Sequence, residues 1–352
     1  MNCQKFRTLG RVLWVSKDVI YKSIGRNLYY SEDKGLRWRL RACLPMTNLR
    51  GVSLFSNVLS RLFRTGFHHL HVLDNNSLIV FANKSIYLLE PDSNYFQYVG
   101  AIRGSKPLCV SVHKDVIVYG EYSRNVNRIP VPLYKSEDAG LSWFVAHTFE
   151  GIRHVHGVFF DKFSGKYWIT TGDLDDECSI WMADQDFVKV EKVLTGAQKF
   201  RAVQLLFDPH FIYYGSDTPD GENHLYRLSR RTRRIECLSA VGAPVFFGTK
   251  AINHLFFSTA IEKSSHKTID SAKLWHSDDG IKWDCIVSLG RSLLPLRIFQ
   301  NGQILFPAGP GDDENLWFWS LATSEDNQSF RIGIDDLDKV RLSKSSINLV
   351  TI

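Results

Sequence analysis

The sequence predicts an all-β protein, a seven-bladed β-propeller, and three observations carry that expectation. Almost no stretch longer than ten residues places its apolar side chains at a helical period, whereas short runs rich in Val, Ile, Tyr, Phe and Trp recur between clusters of Gly, Asp, Asn and Ser. One turn motif occurs three times. The copies are spaced by multiples of a blade-sized length.

The strands come first in the argument. Val116 to Tyr119, Lys166 to Thr171, Phe211 to Tyr214, Leu255 to Ser258 and Gln303 to Pro307 are each followed by a polar turn and another short apolar run. Consecutive strands joined by short turns form antiparallel meanders. The repeated turn follows such runs. Ser31-Glu-Asp-Lys-Gly-Leu-Arg-Trp38 matches Ser136-Glu-Asp-Ala-Gly-Leu-Ser-Trp143 at six of eight positions. A third copy, His276-Ser-Asp-Asp-Gly-Ile-Lys-Trp283, keeps Asp278, Gly280 and Trp283 and puts His in the Ser position. Asp accepts backbone N–H bonds within its own turn, Gly tolerates positive φ, and Trp packs under the hairpin. Asp33, Asp138 and Asp278 are therefore expected to staple the fold.

These segments resemble the Asp-box, or bacterial neuraminidase repeat, of sialidase-like propellers, with its Ser/Thr-x-Asp-x-Gly-x-x-Trp pattern. The resemblance implies a propeller over nearly the whole chain, with the boxes away from the active face. It also implies a search for an arginine triad, for which Arg153, Arg201 and Arg297 stand at suitable blade positions. Arg128-Ile-Pro130 lies ahead of the second box, whereas the sialidase segment of that kind precedes the first.

Spacing counts the blades. Asp33 and Asp138 are 105 residues apart, Asp138 and Asp278 are 140; these intervals divide into two and three units of about 47–52 residues. One domain over residues 1–352 is read as blades at roughly 10–50, 60–102, 107–150, 154–195, 201–242, 244–290 and 295–333. Boxes fall in the first, third and sixth, and Trp181 to Phe187 and Ser324 to Phe330 are eroded copies in the fourth and seventh. A six-bladed ring with long insertions is the alternative. Closing the ring asks either residues 1–9 or the tail from Ile334 to add a strand to a terminal blade.

Composition sets outer bounds. With 352 residues, 44% hydrophobic and 23% charged, the chain has ample material for a core, so disordered, collagen-like and disulfide-scaffold classes drop out. A formal net charge of +6 spread along the chain does not call for nucleic acid. No window approaches the roughly 18 apolar residues of a membrane span, and the first residues lack an apolar export signal. Six cysteines are scattered singly without metal-type spacing. Reduced thiols in a cytoplasm are the expectation.

Candidate chemistry follows from aligning blades. Blades three, four and five end their second strand with Gly and then a carboxylate: Gly120-Glu121-Tyr122, Gly172-Asp173 and Gly215-Ser-Asp217. Blade four opens with Arg153-His154-Val-His156, whose two histidines share one strand face. Blade two opens with His68-His69-Leu-His71, so His69, His71, His154 and His156 are candidate ligands of a divalent metal, or bases. Glu121, Asp173, Asp217, His154 and His156 form the catalytic candidates. Arg128, Arg153, Arg201, Tyr122 and Asn223 are the substrate-binding ones, because guanidinium forks bind carboxylates bidentately. The run Arg230-Arg-Thr-Arg-Arg234 is read as a solvated hairpin tip.

These residues point to a glycan-directed protein, a glycoside hydrolase-like enzyme acting on an acidic sugar of sialic or uronic type through two carboxylates. Two alternatives stand beside it. In one, a metal acidifies the proton next to a uronate carboxylate for elimination by a polysaccharide lyase. In the other, the same cluster only binds an acidic oligosaccharide or a protein loop.

Overall fold

The computed structural model describes residues 6–46, 53–54, 56–262, 268–294 and 299–337. The chain is a seven-bladed β-propeller, assembled from seven four-stranded antiparallel sheets. The first strand, β1 (Phe6–Leu9), is followed by a sheet of β2 (Arg11–Val15), β3 (Ile20–Ile24), β4 (Asn27–Ser31) and β5 (Arg39–Cys43). A helix α1 (Asn57–Phe63) precedes the next sheet, β6 (Phe67–Val72), β7 (Leu78–Ala82), β8 (Ser85–Leu89) and β9 (Gln97–Ala101). Then come β10 (Ser111–His113), β11 (Val116–Gly120), β12 (Val131–Ser136) and β13 (Phe144–Phe149). The fourth meander is β14 (His154–Asp161), β15 (Lys166–Gly172), β16 (Ser179–Ala183) and β17 (Val190–Thr195). The fifth is β18 (Ala202–Phe207), β19 (Phe211–Ser216), β20 (His224–Ser229) and β21 (Ile235–Ala240). The sixth is β22 (Val245–Ala251), β23 (His254–Thr259), β24 (Ser271–Ser277) and β25 (Asp284–Gly290). The last sheet holds β26 (Gln303–Leu305), β27 (Asn315–Leu321) and β28 (Gln328–Gly333), with β1 as its fourth strand.

Residues group into two compact units, one within 71–93 and 97–246, the other within 1–70, 94–96 and 247–352. In the latter, the N-terminal strand supplies the shared blade: Phe6 pairs with Arg331 and Leu9 with Gln328. Ser329 Oγ reinforces the seam, accepting from Val12 N and donating to Gly10 O, each at 2.8 Å. Residues 334–337 form a helical turn instead of a strand. Helix α1 departs from the sequence reading, which put residues 60–63 in the second blade. Its seven residues are too few to register as a helical period, and Ser56 caps it, Oγ accepting from Leu59 N.

In the other unit the second strands are buried on both faces, as the patterns of β7, β15 and β19 show, while the fourth strands β9 and β17 are largely exposed. A strand apolar on both faces reads as a continuous apolar run. Of these, β15 and β19 are among the runs that the sequence displays. Val118, Leu133, Val155, Val158 and Ile169 form one core cluster between the third and fourth sheets.

The repeated turns close as their residue types dictate. Ser136 Oγ donates to Asp138 Oδ1 at 2.9 Å and accepts from Gly140 N at 2.8 Å, and Asp138 Oδ1 accepts from Ser142 N at 2.8 Å. Gly140 sits at φ +90, where a side chain would be strained and its Cβ would approach Ile79 to 2.7 Å. Trp143 donates to Gly140 O at 3.0 Å and packs edge-on against Phe81 and Tyr119. Ser31, Asp33 and Gly35 repeat the first two bonds. The third turn is in a different register from the sequence alignment. Ser277 and Asp279, not His276 and Asp278, take the two stapling positions: Ser277 Oγ donates to Asp279 Oδ1 at 3.1 Å, and Asp279 Oδ1 accepts from Ile281 N and Lys282 N at 2.8 Å. This copy is one residue shorter between Asp and Gly. His276 is instead buried and hydrogen-bonded to His254 at 2.8 Å.

Candidate functional site

The site grows from one geometric repeat in the unit spanning residues 97–246. In the fourth and fifth sheets an Arg stands just before the first strand and a carboxylate just after the second, and antiparallel pairing brings these ends together. Arg153 Nη1 donates to Asp173 Oδ2 at 2.9 Å. In the fifth sheet Asp217 N donates to Arg201 O at 2.8 Å, and Arg201 Nε lies 3.4 Å from Asp217 Oδ2. Arg201 also reaches back, Nη2 lying 3.1 Å from Asp173 Oδ1, and so joins the two carboxylates.

The Gly of each Gly–carboxylate pair has a steric cause. A Cβ on Gly120 would fall 2.3 Å from Val155, and one on Gly215 2.4 Å from Val245. On Gly172 it would crowd Arg201 Cγ and His156 Cε1, both at 3.2 Å. The second strand can approach the next sheet only without a side chain there.

His154 and His156 complete the cluster. The β14–β15 register shifts between Val155 and Gly157, so His156 occupies a β-bulge, a device that re-aims side chains next to functional sites. His154 Nδ1 is 2.8 Å from Ser123 O and His156 Nδ1 is 3.1 Å from Ala202 O. A carbonyl only accepts, so both Nδ1 atoms carry hydrogen. The two Nε2 atoms face one another at 3.0 Å, with Asp173 Oδ1 at 3.5 and 3.4 Å. Both histidines are buried, and the ring of Tyr122 lies 4.2 Å from that of His154.

Burial drives the His156 imidazole down to about 4, against the pull of Asp173, so it is neutral near pH 7. Burial pushes the Asp173 carboxyl upward, but the two imidazoles and Arg201 outweigh it and hold the group ionised far below the ordinary carboxylate range. Glu177 is lowered in the same way, Arg128 overcoming the upward push of burial. Arg128 Nε donates to Glu177 Oε1 at 2.6 Å, and Glu177 Oε2 accepts from Asp173 N at 3.1 Å.

The structure thus brings together His154, His156, Asp173, Asp217, Arg153, Arg201 and Tyr122, with Arg128 one step removed through Glu177. Glu121 is not in the cluster. Its side chain packs beside Gly104 and hydrogen-bonds Tyr134. Asn223 is buried apart from the cluster's hydrogen bonds: its Nδ2 donates to Thr218 O at 2.7 Å and its Oδ1 accepts from Thr218 N and Ser216 Oγ, so it braces its own loop. His69 and His71 lie on β6, and among the described residues the only His/Cys/Asp/Glu group close enough to hold a metal is His154, His156 and Asp173. Arg297 lies outside the described residues. The sequence reading missed Glu177 and Gln198, which donates to Asp173 O at 2.9 Å. The four-residue spacing from Asp173 to Glu177 was the available signal for the former. A cavity of about 80 Å³, lined by Gly10, Arg11, Ser60, Thr65 and Asn327 among others, contains none of the predicted site residues.

No family model and no curated protein matches the chain. Solved structures resemble it in fold. A chain of a mitotic checkpoint complex aligns with TM-score 0.56 at 12% identity, over 93% of this chain and 90% of its own. A GH74 enzyme from Niastella koreensis aligns with TM-score 0.54 at 15% identity, over 80% of this chain and 46% of the enzyme. The extracellular domain of the putative hybrid two-component system BT4673 from B. thetaiotaomicron gives 0.57 at 13%, over 92% of this chain and 38% of that one. The chain therefore spans less than half of the latter two proteins. At these identities the likeness establishes the propeller and nothing about activity. No helix among the described residues is long and apolar enough to cross a membrane.

Proposed function

We propose that the chain is a glycan-directed Asp-box propeller whose Arg153–His154–His156–Asp173–Arg201 cluster takes the carboxylate of an acidic sugar. The observation that carries this reading is Arg153. Its side chain is 31% exposed, one amino group holds Asp173, and neither Nε nor the second amino group has a partner among the described residues. A guanidinium with unused donors, fixed in orientation by a neighbouring carboxylate, is suited to receive a second carboxylate. Arg128, Arg153 and Arg201 balance Glu177, Asp173 and Asp217, so the site itself is near neutral and gains by admitting an anion only where such donors remain.

Hydrolysis by paired carboxylates needs one group that carries a proton near neutral pH. Asp173 is held ionised and Glu121 is turned toward Tyr134, so neither favours that role. Arginines suited to a sugar carboxylate, set beside the ring of Tyr122 as the base, favour instead proton abstraction next to a uronate carboxylate, the elimination variant. The test is calorimetric binding of sialyl- and uronate-containing oligosaccharides, with products assayed as reducing ends and as ultraviolet-absorbing unsaturated uronate. Binding with unsaturated product supports elimination; failure of every acidic oligosaccharide to bind overturns the glycan reading.

A further inference from the structure

We infer that His154 Nε2, His156 Nε2 and Asp173 Oδ1 form a three-ligand site for a divalent transition metal. The argument starts from the carbonyls. Ser123 O and Ala202 O each require a hydrogen on the Nδ1 they face, at 2.8 and 3.1 Å, and so fix both rings with their Nε2 atoms turned toward Asp173. Those two nitrogens and Asp173 Oδ1 converge at 3.0, 3.4 and 3.5 Å. A divalent cation at their centre satisfies all three at once.

The spacing fits a metal. Bonds of about 2.0–2.2 Å in tetrahedral geometry separate neighbouring ligand atoms by about 3.3–3.5 Å. The supporting bonds fit as well, since metal-bound imidazoles characteristically donate their other N–H to a backbone carbonyl, fixing ring and tautomer. Arg153 occupies Oδ2 of Asp173, leaving Oδ1, whose second lone pair also serves Arg201 at 3.1 Å. Two imidazoles with one carboxylate select a borderline ion such as zinc, cobalt, iron or manganese over calcium or magnesium. Three protein ligands leave a further coordination position for water or substrate. Asp173 and Arg153 border solvent, at 13% and 31% side-chain exposure, which provides a way in.

The metal is tested alone, with no sugar present, so its failure and that of the glycan reading are separable. The full chain, stripped with chelator and shown to be folded, is titrated with Co²⁺ and with Zn²⁺. The expected result is one ion per chain, a visible Co²⁺ spectrum of a low-coordinate site, and X-ray absorption scattering from two imidazole rings. His156→Ala lowers affinity at least about a hundredfold, while His210→Ala, at an exposed histidine, leaves it unchanged. Should His156→Ala not fold, the imidazole scattering of the wild-type protein decides. A folded wild-type chain that takes up no ion, or an ion bound without two imidazoles, or uptake unaffected in folded His156→Ala, overturns the assignment.

Discussion

Arg230 grips Asp161 with both amino groups, Nη1 to Oδ2 at 2.6 Å and Nη2 to Oδ1 at 3.0 Å. Asp161 has no exposed surface, and Ser164 Oγ and Phe163 N also donate to it. The basic run beginning at Arg230 is thus not wholly a solvated tip. Its first residue ties the fifth sheet to the end of β14, while Arg231, Arg233 and Arg234 are exposed. Breaking a buried pair from one side strands the other charge, at a cost of roughly 3–5 kcal/mol. Arg230→Ala is expected to lower unfolding free energy by about that much, and Arg231→Ala by less than about 0.5 kcal/mol. Denaturant titration of the two variants checks the contrast.

The same pair sets an acid limb. Burial pushes the Asp161 carboxyl up, but the hydrogen bonds and charge of Arg230 prevail and its folded-state value lies below the ordinary one. A depressed carboxylate contributes stability that is complete above the unfolded pKa, about 3.9, and is lost as pH falls through the folded value. Wild-type protein should therefore lose stability below about pH 4 more steeply than Asp161→Asn, which starts from a lower plateau. Parallel slopes between pH 5 and pH 2.5 would contradict this.

Trp143 closes its turn and reaches Phe81 of β7 as well as Tyr119 of β11. Its ring is half-buried, so Trp143→Ala should cost about 3 kcal/mol, the lower end for large aromatic deletions. In the third turn the carboxylate that bonds the backbone is Asp279, and Asp279→Ala should cost about 1 kcal/mol through the lost N–H bonds of Ile281 and Lys282. A thermal midpoint unchanged in either variant would remove that side chain from the stapling role.

How much of this was legible in the chain depends on what each residue answers to. Blade number and the Gly–carboxylate pairs were readable because they answer to local demands: turn geometry at Gly140 and close approach at Gly120, Gly172 and Gly215. Glu121 shares that pattern yet leaves the cluster, since no arginine stands immediately before β10 as Arg153 and Arg201 stand before β14 and β18, and Tyr134 takes it instead. The bulge at His156 has no local signature, being set by pairing with β15. The register of the third turn hinged on the residue missing between Asp279 and Gly280, within an Asp-Asp pair that sequence matching resolves either way.

The last expectation concerns the residue on which the proposed function rests. Arg153 contributes one bond to Asp173, which Arg201 also holds, so its removal leaves that carboxylate partnered and the fold little changed. Arg153→Ala should weaken binding of an acidic oligosaccharide by about 1.5–3 kcal/mol, the worth of a charged hydrogen bond, or tenfold to more than a hundredfold in Kd. The carboxyl-reduced form of the same oligosaccharide should bind wild type and variant alike, because it lacks the group the guanidinium recognises. Arg153→Lys should recover only part of the loss, as a point charge cannot reproduce the planar fork. Equal weakening toward charged and reduced sugars would show that Arg153 shapes the site without contacting the carboxylate.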